Sequence, residues 1–100
     1  MMPMSDLLKN QTPETENSLV LFTAPSWCVP CRQFGPVFAK AAEEHKGGTK
    51  FYYVDIDEEP ELAREYDVMS VPTVVRLVDG EREYITERSP IKFIKYVNSI

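Results

Sequence analysis

Cys28 and Cys31 are the two cysteines of this chain, and both sit in one short stretch, Trp27-Cys28-Val29-Pro30-Cys31. Three chemistries compete for such a pair: a reactive dithiol, part of a metal site, or two small buried apolar side chains. A spacing of three residues on a helical turn brings the sulfurs to one face, close enough to close a small ring. At a strand-to-helix junction the first sulfur also faces unpaired backbone N–H groups and the positive end of the helix dipole. Both favour thiolate, which is the attacking species. Pro30 fits the first helical turn, because the N–H it lacks would be unpaired there, and it stiffens the ring. The spacing and the expected setting argue for a redox-active dithiol.

Zinc takes four protein ligands, or three and a water, and this chain adds only His45 to the two cysteines. His45 falls at the far end of the following helix, roughly 20 Å away at 1.5 Å per residue. No metal is therefore expected, and a metal shared between two copies has no support. Inert buried cysteines are common in general, but not at this spacing, behind a tryptophan and around a proline.

The elements that must position the pair can be read from periodicity. Leu19 to Thr23 is an apolar run suited to a strand buried on both faces. Phe34, Val37, Phe38, Ala41 and Ala42 mark one face of a helix that ends at Lys46 and Gly47-Gly48, with Pro36 inside it to bend it. Phe51 to Ile56 reads as the next strand. Pro60 starts a short helix that buries Leu62, Ala63 and Tyr66. Thr73 to Val78, Asp79-Gly80 and Arg82 to Thr86 read as a hairpin, and Ser89-Pro90 opens a last helix with Ile91, Ile94 and Val97 inward. Residues 1–17 are weakly patterned: Ser5 is placed to cap a short helix over Asp6 to Asn10, followed by a polar linker. One domain, residues 18–100, is expected beyond them, with a β-α-β crossover of parallel strands and an antiparallel hairpin at the edge.

The stretch Phe22-Thr-Ala-Pro-Ser-Trp-Cys-Val-Pro-Cys-Arg32, with Ser70-Val71-Pro72-Thr73 and Asp79-Gly80-Glu81 further on, resembles the thioredoxin family. The resemblance covers residues 18–100. It implies an α/β thioredoxin fold, a mixed four- to five-stranded sheet flanked by helices. It also implies a cis peptide before Pro72, and a Val71 backbone that offers itself to an extended client segment as an added strand. Trp27, Val29, Pro30, Ser70, Val71 and Pro72 would then line a shallow groove around an exposed Cys28 sulfur. Taken singly, Trp27 also suits a core position and Pro72 a trans loop.

Cys28 would be the nucleophile and Cys31 the resolving cysteine of a thiol–disulfide oxidoreductase. The redox-active disulfide is then the only redox group, with no cofactor bound. The implied partners are disulfide-containing proteins, ribonucleotide reductase among the natural candidates, and a thioredoxin reductase or glutathione-linked route for recycling. The alternatives are an oxidant or isomerase on the same scaffold, or a non-enzymatic interaction module.

Four departures from the family pattern stand out. Val29 replaces the frequent glycine between the cysteines and adds β-branched bulk. The buried aspartate usual before the motif is matched by Leu21, or with a slip of one residue by Phe22. Its usual lysine partner is matched by Tyr53. The two losses belong together, since either charge alone in a core is costly. Thr86-Glu87-Arg88 stands where the family has a small, uncharged loop, which should narrow the partner range. The N-terminal segment also looks too short for the family's first strand.

A net charge of −5 argues against a nucleic-acid binder held by phosphate contacts. Residues 55–67 hold seven acids and one arginine, net −6, leaving the remainder near +1. That run reads either as a solvated helix whose first-turn acids favour its positive end, or as a contact surface for a basic partner. No apolar run reaches membrane-spanning length, and Met1 to Lys9 has no signal-peptide pattern, so a cytoplasmic monomer is expected.

Overall fold

The computed structural model describes residues 8–9 and 17–100. Its centre is strand β2, Ser18–Thr23, all six of whose residues are buried. Successive side chains of a strand point to opposite faces, so a run without polar alternation must be covered on both. Leu19 and Leu21 pack with Phe34, Phe38, Phe93 and Val97 on one face, while Val20 and Phe22 pack with Val54, Tyr66 and Val75 on the other.

The sheet has five strands in the order β1-β3-β2-β4-β5. β3, Lys50–Asp55, runs parallel to β2, with Leu21 beside Tyr53 and Thr23 beside Asp55. The helix between them, α1, spans Val29–Glu44 and continues through Pro36, whose ring is exposed. β4, Thr73–Val78, and β5, Glu81–Ile85, are antiparallel and joined by Asp79-Gly80, both at positive φ (51° and 83°). That pair of signs is the two-residue hairpin turn whose twist matches the strands, and Gly80 takes its φ without a Cβ penalty. β5 therefore starts one residue earlier than the sequence pattern suggests.

Two expectations are corrected. Leu8–Lys9 form a short strand, β1, parallel to β3, so they are not in a helix over Asp6 to Asn10 and a first strand is present. Ser5 and most of that predicted helix lie outside the described residues. In the last helix, α3, Pro90–Ser99, the buried positions are Phe93 and Val97, whereas Ile91 is 70% exposed and Ile94 only partly buried. The i, i+4 pair Phe93/Val97 sets the inward stripe, and Phe93 meets Phe34 edge-on at 5.0 Å. Ile91 falls in the first turn, off that stripe.

Helix α2, Pro60–Glu65, carries no buried residue of its own, and Leu62 and Ala63 are half-buried. Tyr66, its C-cap, is the anchor. Past it Asp67 takes a left-handed φ of 53°, Asp67 N–H donates to Arg64 O and Val68 N–H to Ala63 O. This pair of bonds ends the helix and turns the chain toward the cysteines. α1 and α3 thus cover one face of the sheet and the α2 region the other.

Candidate active site

Parallel β2 and β3 end side by side, and their carboxyl ends deliver chain to one place, the usual location of sites in α/β sheets. After β2, Trp27 N–H and Cys28 N–H both donate to Ala24 O, at 3.2 and 2.9 Å. Arg32, from the first turn of α1, braces this bend by donating from Nε to Pro25 O at 2.7 Å. Cys28 is the N-cap of α1, in extended conformation. Its Sγ accepts the Cys31 N–H at 3.2 Å, so the sulfur occupies the place of a capping oxygen. A thiolate there receives a backbone hydrogen bond as well as the helix dipole.

Cys28 and Cys31 are joined as a disulfide, with Cα atoms 5.2 Å apart. Cys31 is 1% exposed, and its Sγ accepts the Ala24 N–H at 3.4 Å. Cys28 is 6% exposed, less open than expected. Its Sγ lies 3.7 Å from Val71 O, and the Val71–Pro72 peptide is cis. The apolar side chains of Ala24, Ile56 and Val71 pack on the sulfur pair. Leu21 and Tyr53, register neighbours, lie in the apolar layer under α1 and α3, and Phe22 is buried on the opposite face. No carboxylate is buried among the described residues.

The residues expected to line a single groove are divided between two depressions, neither of them lined by a cysteine. Trp27, Ser70 and Val71 line the first, of about 330 Å³, together with Ile56, Val68 and Met69. Pro30 and Pro72 line the second, of about 300 Å³, with Gln33, Phe34, Val37, Arg88 and Pro90. Val29 lines neither; it stands exposed at the helix start. Trp27 is 58% exposed and so is not a core residue. Among the described residues no three metal-ligating side chains converge, and no helix is long and apolar enough to cross a membrane.

Asp57 was not singled out by the sequence, where it is one acid within the 55–67 run. Its carboxylate accepts from Trp27 Nε1 at 3.0 Å and from Ser26 Oγ at 2.9 Å. The sequence carries no local signal for it: the contact follows from the register that sets Thr23 beside Asp55 at the ends of β2 and β3. Asp57→Ala should release the indole, with a stability change of about 1 kcal/mol or less because the contact is exposed. Trp27 is the sole tryptophan, so its fluorescence anisotropy reports directly: a decay as slow as wild type would refute the clamp.

Comparison with known proteins agrees with this geometry. The family profile described as Thioredoxin matches residues 5–99. A thioredoxin of Mycoplasmoides gallisepticum is 36% identical over 72 residues, covering 72% of this chain and 71% of that protein. A chloroplastic M-type thioredoxin of Pisum sativum is 43% identical over 65 residues, or 65% of this chain, but the match spans only 37% of the pea protein. Among solved structures, mitochondrial thioredoxin 3 of Saccharomyces cerevisiae superposes with a TM-score of 0.78 over 97% of this chain and 98% of its own, at 24% identity. A thioredoxin from Halobacterium salinarum gives 0.74 at 28% identity, covering 92% and 88%. The sheet order and flanking helices are thus the thioredoxin fold. With a disulfide at the head of α1 and a profile match over nearly the whole length, this chain belongs to the thioredoxin family.

Proposed function

We propose that this protein is a dithiol–disulfide oxidoreductase that reduces disulfides in partner proteins. The reading rests on one observation above all: the Cys28 sulfur caps α1, closes a disulfide with the inaccessible Cys31, and lies 3.7 Å from the Val71 carbonyl. In the reduced protein the Cys28 thiolate attacks one sulfur of a client disulfide. A Cys28–client bond forms, the client S–S bond breaks, and the other client sulfur leaves as thiolate. Cys31 then attacks Cys28 Sγ and displaces the second client sulfur. Two electrons have passed to the client, and the Cys28–Cys31 disulfide is restored. Burial of Cys31 sets the order of the two attacks, because a client cannot reach it first.

Val71 presents main-chain polar groups beside the sulfur, which suits a client held as an added strand. The proton of Cys31 goes to water or to the departing thiolate, since no carboxylate is buried among the described residues. Recycling falls to an external reductase, either a thioredoxin reductase or a glutathione-linked system, in a reducing compartment such as the cytoplasm. A suitable client is an enzyme that forms a disulfide at each turnover, as ribonucleotide reductase does.

The test is the reduction potential of the pair, equilibrated against thiol buffers and read from Trp27 fluorescence. A value near −270 mV, at roughly the thioredoxin level, is expected for a reductant. A value around −180 mV or above would move the protein to the oxidant or isomerase class. No exchange at all would leave an interaction module.

A further inference from the structure

The depression on the Pro30 side has mainly apolar walls, one neutral polar side chain, Gln33, and a single cation, Arg88. Its Nη2 donates to Pro72 O at 2.8 Å, one residue from the carbonyl that faces the Cys28 sulfur. A guanidinium has five N–H donors, so most of its donor capacity remains after this bond. The adjacent carboxylate, Glu87, is turned away to accept the Ser89 N–H at 3.0 Å. Among the described residues Arg88 has no carboxylate partner; its one side-chain bond is the one to Pro72 O.

The other depression has no charged side chain in its lining but lies beside the acidic segment. Ile56 in its lining belongs to the acidic segment and Val68 follows its end, and Asp57 holds the indole of Trp27 at its edge. A client segment lying across the disulfide therefore meets on one flank a cation with no carboxylate partner among the described residues, and on the other the Asp57 carboxylate behind Trp27. Like-charge juxtaposition disfavours wrong partners as opposite charge favours right ones.

We propose that Arg88 is a specificity-determining residue: it receives an Asp or Glu side chain of the client polypeptide, placed close in sequence to the client's reacting cysteine. The inference rests on the exchange reading given above. At roughly 3.3 Å per residue of extended chain, about two or three residues span the distance from the sulfur past Pro72 to the guanidinium. The Pro72 carbonyl holds the fork in place, so less side-chain freedom is lost when the carboxylate docks. The chemical step is unchanged: Arg88 takes no part in bond making and acts on the encounter and on the hold.

Short peptides with one cysteine as its 2-pyridyl disulfide provide the probe. Each carries Glu, Gln or Lys two residues from the cysteine, before it or after it. The reduced protein's Cys28 thiolate attacks the peptide sulfur, a Cys28–peptide disulfide forms, and pyridine-2-thione is released and followed by absorbance. At low salt the wild type should favour Glu over Lys by about fivefold in one of the two placements, in line with an exposed ion pair. The ratio should approach unity in Arg88→Gln, invert in Arg88→Glu, keep its sign in Arg88→Lys, and shrink in the wild type at high salt.

Ratios within one variant are insensitive to a general loss of activity, and the salt series needs no variant. Equal Glu-to-Lys ratios in wild type and Arg88→Glu would overturn the proposal while leaving exchange intact. No reaction of the wild type even with the Gln peptide would overturn the exchange reading, and this one with it. A dependence on Arg88 seen with glutathione disulfide but with neither peptide placement would overturn it in favour of a small-molecule carboxylate.

Discussion

Replacing Cys28 with serine should abolish disulfide exchange outright, whereas Cys31→Ser should leave the first attack intact and stop the second. The difference follows from position. Cys28 Sγ sits at the α1 N-terminus with a backbone N–H donor, in a residue 6% exposed; Cys31 is 1% exposed. A serine hydroxyl at 28 remains protonated near neutral pH and is no nucleophile toward sulfur. A serine at 31 cannot resolve the mixed disulfide, so the client stays bound through Cys28. Non-reducing electrophoresis with any disulfide client should therefore show an adduct for Cys31→Ser and none for Cys28→Ser. An adduct that forms through Cys31 in the Cys28→Ser variant would reverse the roles.

The pH dependence of the first attack belongs with this result. Ala24, Ile56 and Val71 pack against the sulfurs, and no carboxylate is buried among the described residues. The rate of attack by reduced wild type should rise with pH through a single thiol ionisation. A second, carboxylate-like step in that profile would contradict the absence of a buried base.

Leu21→Asp should destabilise the fold by about 3–5 kcal/mol near neutral pH, because it places an uncompensated carboxylate in the core. Leu21 is 0% exposed, packed under α1 and α3, with Tyr53 as its register neighbour on β3. Burial raises the folded-state pKa of such a carboxyl above its unfolded value. Stability is then retained below the unfolded pKa, about 3.9, and lost as pH rises through the raised folded value. Denaturant unfolding from acid to neutral pH would display that slope, which the wild type lacks at this site. Adding Tyr53→Lys should recover part of the loss, since the register sets the ammonium beside the carboxylate. The double-mutant cycle isolates that coupling from whatever Tyr53 itself contributes. A double variant no more stable than the sum of its parts would show that Leu21 and Tyr53 are not a coupled replacement.

Much of this protein follows from short-range pattern. The spacing of Cys28 and Cys31, Pro30 between them and the helical stripe of Phe34, Phe38 and Ala41 are all features of a turn or two of chain. Helix geometry turns them directly into a ring-closing pair at a helix start. Asp79-Gly80 specifies a hairpin turn by its own backbone preferences, and Leu19 to Phe22 announces a strand covered on both faces. Local rules reach less far where competing patterns coincide. Ile91 and Phe93 are both apolar, and only the aromatic packing with Phe34 and Phe38 decided which stripe of α3 turned inward. Leu8–Lys9 joined the sheet because β3 offers an edge to pair with, not through any propensity of their own.

The site divides in the same way. Its reactive pair was determined by sequence alone, since the relevant geometry lies within one helical turn. Its surroundings were decided by tertiary structure. Register brings Asp57 to Trp27 across thirty residues, and the loop before α3 brings Arg88 to Pro72 across sixteen. Neither contact has a local signature, because exposed charges cost little wherever they fall and many positions tolerate them. Only the folded chain fixes which acid clamps the indole, which cation faces the second depression, and that Val29 belongs to neither wall.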